Sequence, residues 1–597
     1  MDMNEDHLFL FEVEQSASGA SWIAPKKTQE NIKELFIQNF NLSDAMSELL
    51  VNRNYKIEDL PDFFDPKIKN LMPDPSTLID MDKSVERLTK AILNKETIGI
   101  FGDYDVDGAC SAAIMSSYLN DLGCNVEVHI PDRFTEGYGP NTEALLKLSK
   151  SGCNLILTVD CGITAFEPLK IASEEGVDVI IIDHHITEPN LPKAYSIINP
   201  NRFDQTGQLG YLAAAGVCFL TLVALDRELR SLNCTYVKKH LDLRNFLDLV
   251  ALATICDVVP LKKLNRAFVA SGLRVMGWRK NPGLKALFDQ SNIREIPNEQ
   301  NLGYIIGPRI NAAGRLGNSK LGVELLCAKD DIKASILADE LNKLNDRRKD
   351  IQNKVLESAL DKIDKIDLSK SNVIVLADET WHEGVIGIIA GRIKDRFHKP
   401  AVIISMNDEG IGKGSSRSIP EFDIGSAIIA AQQNDILLSG GGHSMAAGLT
   451  IKKENLESFD IFLNKRFGNS ERENKRLKDY HIEAVINISA ANAKLVKEFQ
   501  KLAPFGSENA EPLVAISKIR VKNFRSVGKE GKHFSFLATD ESGDHINCIA
   551  FNIAGSPVGD AIKTASNGPL IHIIGLLREN NFNNKPQIQV IDCYLIN

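Results

Sequence analysis

Residues 178–188 read DVIIIDHHITE. Val179 to Ile182 is an unbroken β-branched run, the pattern of a strand covered on both faces. It ends in Asp183, His184 and His185, three ionisable groups that lose solvation there unless water, partners or a metal replace it. The construction recurs. IFGDYDVDG places Asp103, Asp105 and Asp107 just past the run TIGIF, with a helix expected from near Cys110, and LILTVDCG ends another run at Asp160. Such βα alternation predicts a mostly parallel sheet with helices on both sides. LDLRNFLDLVALATI (241–255) reads as a buried helix, past which ICDVVP places Asp257. In an open parallel sheet ligands bind beyond the carboxyl ends of the strands, where the first three acidic groups all sit.

Taken singly, these aspartates read equally well as helix caps and turn residues. As a set they do not. Two carboxylates ~4 Å apart repel by about 4 kcal/mol at an effective dielectric near 20. A divalent cation removes that repulsion, and carboxylates plus imidazole without cysteine favour Mn²⁺ or Mg²⁺ over a zinc cage.

The rest of the 597-residue chain divides by pattern, and its length suggests several domains. Residues 1–75 are polar with proline breakers and read as a helical N-terminal extension plus a loop; 76–330 carry the parallel sheet. Residues 331–365, free of Gly and Pro and rich in charge, read as a long connecting helix. A second α/β unit spans 366–460, from NVIVLA to GGGHSMAAGLTI. From 461 to 597 short alternating strands suggest a small OB-like β-barrel. The fold class is therefore α/β multidomain with a C-terminal barrel.

Composition narrows the class further. No apolar window is long enough for a membrane span, and the acidic start MDMNEDH lacks the basic region of a signal peptide. Ten cysteines fall singly, without a CxxC pair, so neither a disulfide framework nor a zinc ribbon is expected and a reducing cytoplasm is the default. Net charge is −10, which counts against nucleic acid as a partner unless basic residues gather along one groove.

DYDVDG, VDCG, DHH and CDVVP, in this order, resemble the DHH phosphoesterases, and GGGHSMAAG (440–448) resembles the glycine-rich motif of their second, DHHA1-type domain. The resemblance covers about residues 80–455. With the further C-terminal residues and the segments RFTEGYGP, PRINAAGRLG and GSSRSIPEFD, the chain is most similar to the family's single-strand-specific exonucleases. By position the resemblance implies that Asp105, Asp107, Asp160, His184 and Asp257 are metal ligands, with Asp160 bridging. It implies that His185 contacts the scissile phosphate and that Asp183 orients the histidine pair. One departure stands out: Phe101 occupies the place of a histidine that two-metal members use, which leaves one ion or two as alternatives. The implied chemistry is hydrolysis by an activated water without a covalent intermediate.

Substrate contacts follow from the same likeness. Ser415 and Arg417, with Arg309, Asn311 and Arg315, resemble the family's pocket for a 5′-phosphate, whose oxygens suit an arginine fork. Either Arg309 or Arg315 would reach it. His443 is a further phosphate donor, whereas Trp381 and His382 read equally well as packing. Arg133 and Tyr138 would line the entrance, Tyr138 stacking on a base. In KIRVKNFRSVGKEGKH (518–533), Lys518, Arg520 and Lys522 share one strand face with Phe524 close by, as a single-strand groove requires. An edge strand guarded by lysines is the bland alternative.

The expectation is a metal-dependent 5′→3′ exonuclease on single-stranded DNA that releases 5′-mononucleotides in recombination and mismatch repair. A monomer is expected, with a single-strand-binding protein and a helicase as candidate partners. The competing readings are a DHH phosphodiesterase on short oligonucleotides or cyclic dinucleotides, and a catalytically silent DNA-binding scaffold.

Overall fold

Strand β1 (Thr97–Gly102) lies one strand in from the edge of the first sheet. It pairs in parallel with β2 (Val126–His129) on one side and β3 (Cys153–Val159) on the other. β4 (Asp178–Ile182) and β5 (Ser196–Ile198) continue the sheet, giving the all-parallel order β2-β1-β3-β4-β5. This computed structural model describes residues 8–26, 29–232, 241–368, 371–468, 479–580 and 583–596. The acidic start at 1–7 and the segment 469–478, beside the expected boundary at 461, lie outside them.

Val179 to Ile182 are buried without exception, as a strand covered on both faces must be. Helix α1 (Val106–Asp121) follows β1. It starts earlier than the sequence places it because Asp105 Oδ1 accepts from the amides of Asp107 (2.9 Å) and Gly108 (3.2 Å) as an N-cap. Helices α2 (Ala214–Ser231) and α3 (Leu247–Cys256) pack against α1, and α3, buried from Leu247 to Thr254, is apolar there except for Asp248 and Thr254. Then come α4 (Gly307–Leu316) and the connecting helix α5 (Asp331–Ile363). The 33 residues of α5 span about 50 Å at 1.5 Å each. Its buried stripe runs Ala334, Leu337, Ala338, Leu341, Asn345, Gln352, Val355, Ala359, Ile363 and is polar in the middle.

The second sheet has the order β9-β10-β8-β7-β6. Its strands are β6 (Ile374–Asp378), β7 (Ala401–Met406), β8 (Ile411–Arg417), β9 (Ser439–His443) and β10 (Ala446–Lys452), with α6 (Glu383–Phe397) between the first two. Only β6 and β7 are parallel. These elements and the first sheet form one compact unit, Pro73–Val259 with Ser271–Asn474.

The other unit comprises Met1–Met72, Pro260–Ala270 and Lys475–Asn597. Here β11 (Leu513–Val527), β12 (His533–Thr539), β13 (His545–Ala550), β14 (Ile571–Glu579) and β15 (Pro586–Leu595) close on themselves in the order β11-β12-β13-β15-β14-β11. The pairing is antiparallel except between β13 and β15. This closed five-stranded barrel has the OB-like form expected from the sequence. The N-terminal residues that the sequence sets apart as an extension lie in this unit. Phe36, Met46, Leu49, Leu50 and Leu60 share a core with Val514, Ile516 and Ile573, and Ser21–Ile23 pairs with Asp479–His481. Arg266, 2% exposed, binds this unit internally. Its guanidinium donates to the carbonyls of Phe63 (2.8 Å), Ala503 (2.6 Å) and Pro504 (3.3 Å) and lies 3.9 Å over the Phe63 ring.

Candidate metal centre and substrate pocket

The order β2-β1-β3-β4-β5 reverses direction of growth between β1 and β3, and that topological switch point opens a crevice beyond the strand ends. Asp103 and Asp105 leave β1 there, Asp160 leaves β3, and Asp183 to His185 leave β4. Asp107, in the first turn of α1, is 1% exposed. Its two oxygens accept from the amides of Ala214 (2.7 Å) and Ala215 (2.8 Å) at the N-terminus of α2, an end that favours anions. Gly108 allows this close start: a Cβ there would stand 2.4 Å from the Asp103 carbonyl oxygen. Asp160 adopts φ +60° and Val258, beside Asp257, φ +58°, a region non-glycine residues seldom occupy and one that collects at functional sites.

His184 Nε2 lies 3.3 Å from Asp160 Oδ1, 3.5 Å from Asp257 Oδ2 and 3.7 Å from Asp107 Oδ2. Three overlapping groups bring their donor atoms within 4.8 Å of one another: Asp107, His184 and Asp257; Asp103, Asp105 and Asp160; and Asp160, His184 and His185. Burial, reinforced by the neighbouring carboxylates, holds the Asp103 and Asp160 carboxyls far above the usual range and pushes Asp257 up to about 8. Asp107 moves the same way for the same first cause. Oδ1 of Asp103, Oδ1 of Asp160 and Nε2 of His184 are buried without a hydrogen-bond partner. A hard divalent cation fits this donor set, since it neutralises the repulsion and supplies the missing partner.

Asp183 is fully buried and serves the histidines. Its Oδ1 accepts from the amides of His184 (2.7 Å) and His185 (3.1 Å) and from His185 Nδ1 (2.7 Å). Asn199 and Asn201 tie down the same turn, Nδ2 of each donating to the carbonyls of His185 and His184 respectively. Phe101 is fully buried and stacks on His129, whose Nε2 is 2.8 Å from Glu136, so that position turns its ring into the core.

Around the centre, Tyr138 is 53% exposed and its Oη lies 3.4 Å from His185 Nε2, while Arg133 sits over the Tyr104 ring at 5.6 Å. Arg315 at the end of α4 donates to the Gly384 carbonyl (3.3 Å), and Arg417 donates to Ser415 Oγ (3.3 Å). Burial and then the charges of Arg133, Arg348 and Arg417 push the Arg315 guanidinium down to about 10. Arg133, Arg315, Arg417 and Ser415 therefore form one cationic group. Arg309 faces elsewhere, donating to Asn342 Oδ1 (3.1 Å) and the Ile305 carbonyl (2.7 Å), and Asn311 is partly buried on the same helix. His443 is exposed at the end of β9. Trp381 packs, with Nε1 on Ser358 Oγ, and His382 caps α6. Lys518, Arg520 and Lys522 all project from the outer face of β11, whereas Phe524 is partly buried, edge-on to Phe534 at 4.9 Å. Sequence reasoning passed over Tyr104, which stands inside DYDVDG between two aspartates that drew the attention, and the Ala214 and Ala215 amides, because backbone donors have no residue signature.

A parallel sheet whose switch point gathers these aspartates and a DHH turn defines the DHH family. Residues 97–254 match the DHH family, N-terminal domain, 370–469 the DHHA1 domain and 482–592 the RecJ OB domain. The single-stranded-DNA-specific exonuclease RecJ of Bacillus subtilis is 33% identical over 97% of this chain and 71% of its own length. The Haemophilus influenzae protein of the same name is 32% identical over 84% and 89%. The crystal structure of RecJ from Thermus thermophilus in complex with Mn²⁺ superposes with a TM-score of 0.80 at 26% identity, covering 96% of this chain and 80% of that one. The chain belongs to the RecJ family. Among the described residues no helix is long and apolar enough to cross a membrane.

Proposed function

We propose that the protein is a divalent-metal-dependent exonuclease that degrades single-stranded DNA from its 5′ end and releases 5′-mononucleotides. The observation that carries this reading is the set of buried carboxylate and imidazole atoms left without partners at the switch point. Asp107, His184 and Asp257 would hold one ion and Asp103, Asp105 and Asp160 a second, with Asp160 adjacent to both; Mn²⁺ and Mg²⁺ suit these donors. When bound, such ions supply the Lewis acid that activates water and carries charge on the phosphoryl oxygens.

This chain's own residues do the rest. Burial opposes its protonation, but the Asp183 hydrogen bond and charge push His185 up to about 9, which favours a protonated donor toward the scissile phosphate. Arg315, Arg417 and Ser415 bind the terminal 5′-phosphate and so fix which phosphodiester is cut. Tyr138 stacks on a base from the position it holds beside His185. Lys518, Arg520 and Lys522 attract the phosphates of a longer strand. Recombination and mismatch repair, a monomeric state, the cytoplasm, and cooperation with a single-strand-binding protein and a helicase follow from the family likeness.

The test is a metal titration with 5′-labelled, 5′-phosphorylated strands of increasing length. Mononucleotide release from the 5′ end that ceases with chelator is expected. Release of 3′-terminal nucleotides, or turnover in excess chelator, refutes the reading.

A further inference from the structure

The middle of the connecting helix α5 breaks its own pattern. Asn345, Arg348 and Gln352 stand at i, i+3 and i+7 on the stripe that is otherwise apolar, and Asn345 and Gln352 are 0% and 3% exposed. Arg348 Nη2 donates to Asn345 Oδ1 at 2.9 Å, but Arg348 Nε and Asn345 Nδ2 are buried with no partner. With the Gln352 amide in the orientation its neighbours favour, its oxygen accepts from Arg392 of α6 at 2.6 and 3.0 Å. Arg309 joins from α4, held by Asn342 Oδ1 and the Ile305 carbonyl. Among the described residues none of the three arginines pairs with a carboxylate. Their hydrogen-bond partners are the neutral side-chain amides of Asn342, Asn345 and Gln352 and the Ile305 carbonyl, and Asp346, the acid acting on Arg309 and Arg348, is exposed and already 3.1 Å from Lys349. Three guanidinium groups that repel one another and face donors without acceptors describe an anion site.

Its place is fixed by its neighbours. Tyr104 interacts with Asp103 and Asp105 and also with Arg133 and Arg315; Arg315 interacts with Arg417 and Arg348; and Arg348 interacts with Arg392 and Arg309. Charge coupling through Tyr104, Arg315 and Arg348 thus links the carboxylates, the terminal-phosphate residues and the second arginine group. Along α6, a Cβ on Gly387 would touch Ser415 Oγ (3.0 Å) and Arg417 Nη2 (3.4 Å), whereas a Cβ on Gly391, one turn on, would meet nothing within 4 Å. The Gly391 position, next to Arg392 in the helix, faces open space.

We propose that Arg309, Arg348 and Arg392 form a second anion pocket that takes the β and γ phosphates of a strand whose 5′ end carries a diphosphate or triphosphate. The proposal rests on the terminal-phosphate role of Arg315 and Arg417 given above. The reaction keeps its balance: water adds to the phosphorus of the first internucleotide phosphate, the bond to the 3′-oxygen of the first nucleotide breaks, and that oxygen takes the proton. The first product is then a nucleoside 5′-triphosphate, and the remaining strand carries a 5′-monophosphate.

The experiment uses the full chain with Mn²⁺ and three oligonucleotides that differ only in a 5′-hydroxyl, 5′-phosphate or 5′-triphosphate. The expected result is that the triphosphate strand is degraded and its first product is the nucleoside 5′-triphosphate. Arg348→Gln and the exposed-site Arg392→Gln each lower kcat/KM on that strand about tenfold or more, as loss of a charge-assisted hydrogen bond predicts, and leave the monophosphate strand unchanged. Inorganic tripolyphosphate inhibits wild type more strongly than inorganic phosphate does, and Arg392→Gln removes the difference. Arg417→Gln slows both phosphorylated strands. A triphosphate end that blocks degradation, a mononucleotide as first product, or equal slowing of both strands by Arg392→Gln overturns the pocket. If Arg417→Gln instead leaves all three strands equal to wild type, the terminal-phosphate reading has failed and the pocket falls with it.

Discussion

His185 donates through Nδ1 to Asp183 Oδ1 across 2.7 Å, and the same oxygen accepts both histidine amides, so one fully buried carboxylate sets the orientation of the turn. Burial alone would raise the Asp183 carboxyl, but the His185 bond and charge hold it below its usual range. Asp183→Asn keeps the shape and removes the charge. We expect kcat on a 5′-phosphorylated strand to fall about 10- to 100-fold with KM little changed. We also expect the loss of activity that accompanies deprotonation of His185 near pH 9 to move to lower pH. An unchanged pH profile and kcat in the variant would remove Asp183 from this role.

Without metal, the crowded carboxylates oppose folding, and the sign of the effect follows from their pKa values. Asp257 is pushed up to about 8 by burial and by Asp107 and Asp105, and Asp103, Asp107 and Asp160 are raised as well. Between the ordinary carboxylate range and these raised values the folded chain binds more protons than the unfolded one. Stability is therefore fully present at low pH and lost as pH rises through the folded-state pKa. In chelator, Tm is expected to fall from about pH 5 to about pH 8, and Mn²⁺ should flatten that decline. Asp160→Asn should raise Tm in chelator at pH 8 while abolishing hydrolysis and leaving strand binding intact. A pH-independent Tm in chelator would mean the carboxylates are not coupled as described.

Much of this was legible in the sequence because strand ends are legible: an apolar β-branched run that stops at Asp183 or Asp160 marks both the strand and the side of the sheet where the ligand goes. The long helix announced itself by the absence of Gly and Pro, and the barrel by its alternation. What the sequence hid was long-range. Phe36 and Leu50 carry no mark that they share a core with Ile573, hundreds of residues away. The separation of Arg309 from Arg315, two arginines of one motif, is decided by which face of α4 each occupies and by Asn342 and Gly384 on other helices. Phe524 reads as a stacking aromatic until Phe534 is seen against it.

Gly108 is where backbone geometry and chemistry meet most tightly. Its missing Cβ lets the start of α1 lie against Asp103, where a methyl group would stand 2.4 Å from the carbonyl oxygen and 2.7 Å from Cα. Both contacts are backbone, so no side chain can swing aside. Gly108→Ala must displace the helix start, and with it Asp105 and Asp107. A loss of about 1–3 kcal/mol in stability is expected from the overpacking. Mn²⁺ affinity, followed by calorimetry, should weaken by about tenfold or more as the ligand geometry shifts. Full Mn²⁺ affinity in a folded variant would show that α1 can move without disturbing the centre.

The outer face of the barrel gives the clearest electrostatic prediction. Lys518, at φ +48° beside a register shift between Ile516 and Ile519, projects outward with Arg520 and Lys522, while Ile519 and Val521 point inward. Arg520 and Lys522 pair across to β12 alone, where β11 has left β14, so guarding a half-open strand is a real alternative to binding a strand. Salt dependence separates the two. Each phosphate neutralised on a single strand contributes about −0.7 to the slope of log K against log salt, so replacing all three residues by Gln should make the slope shallower by about 2. Affinity for long strands should fall with it, while hydrolysis of a 5′-phosphorylated dinucleotide stays at the wild-type rate. If these lysines and arginine only protect an edge, the slope will not move and the variant will instead aggregate at concentrations where wild type remains dispersed.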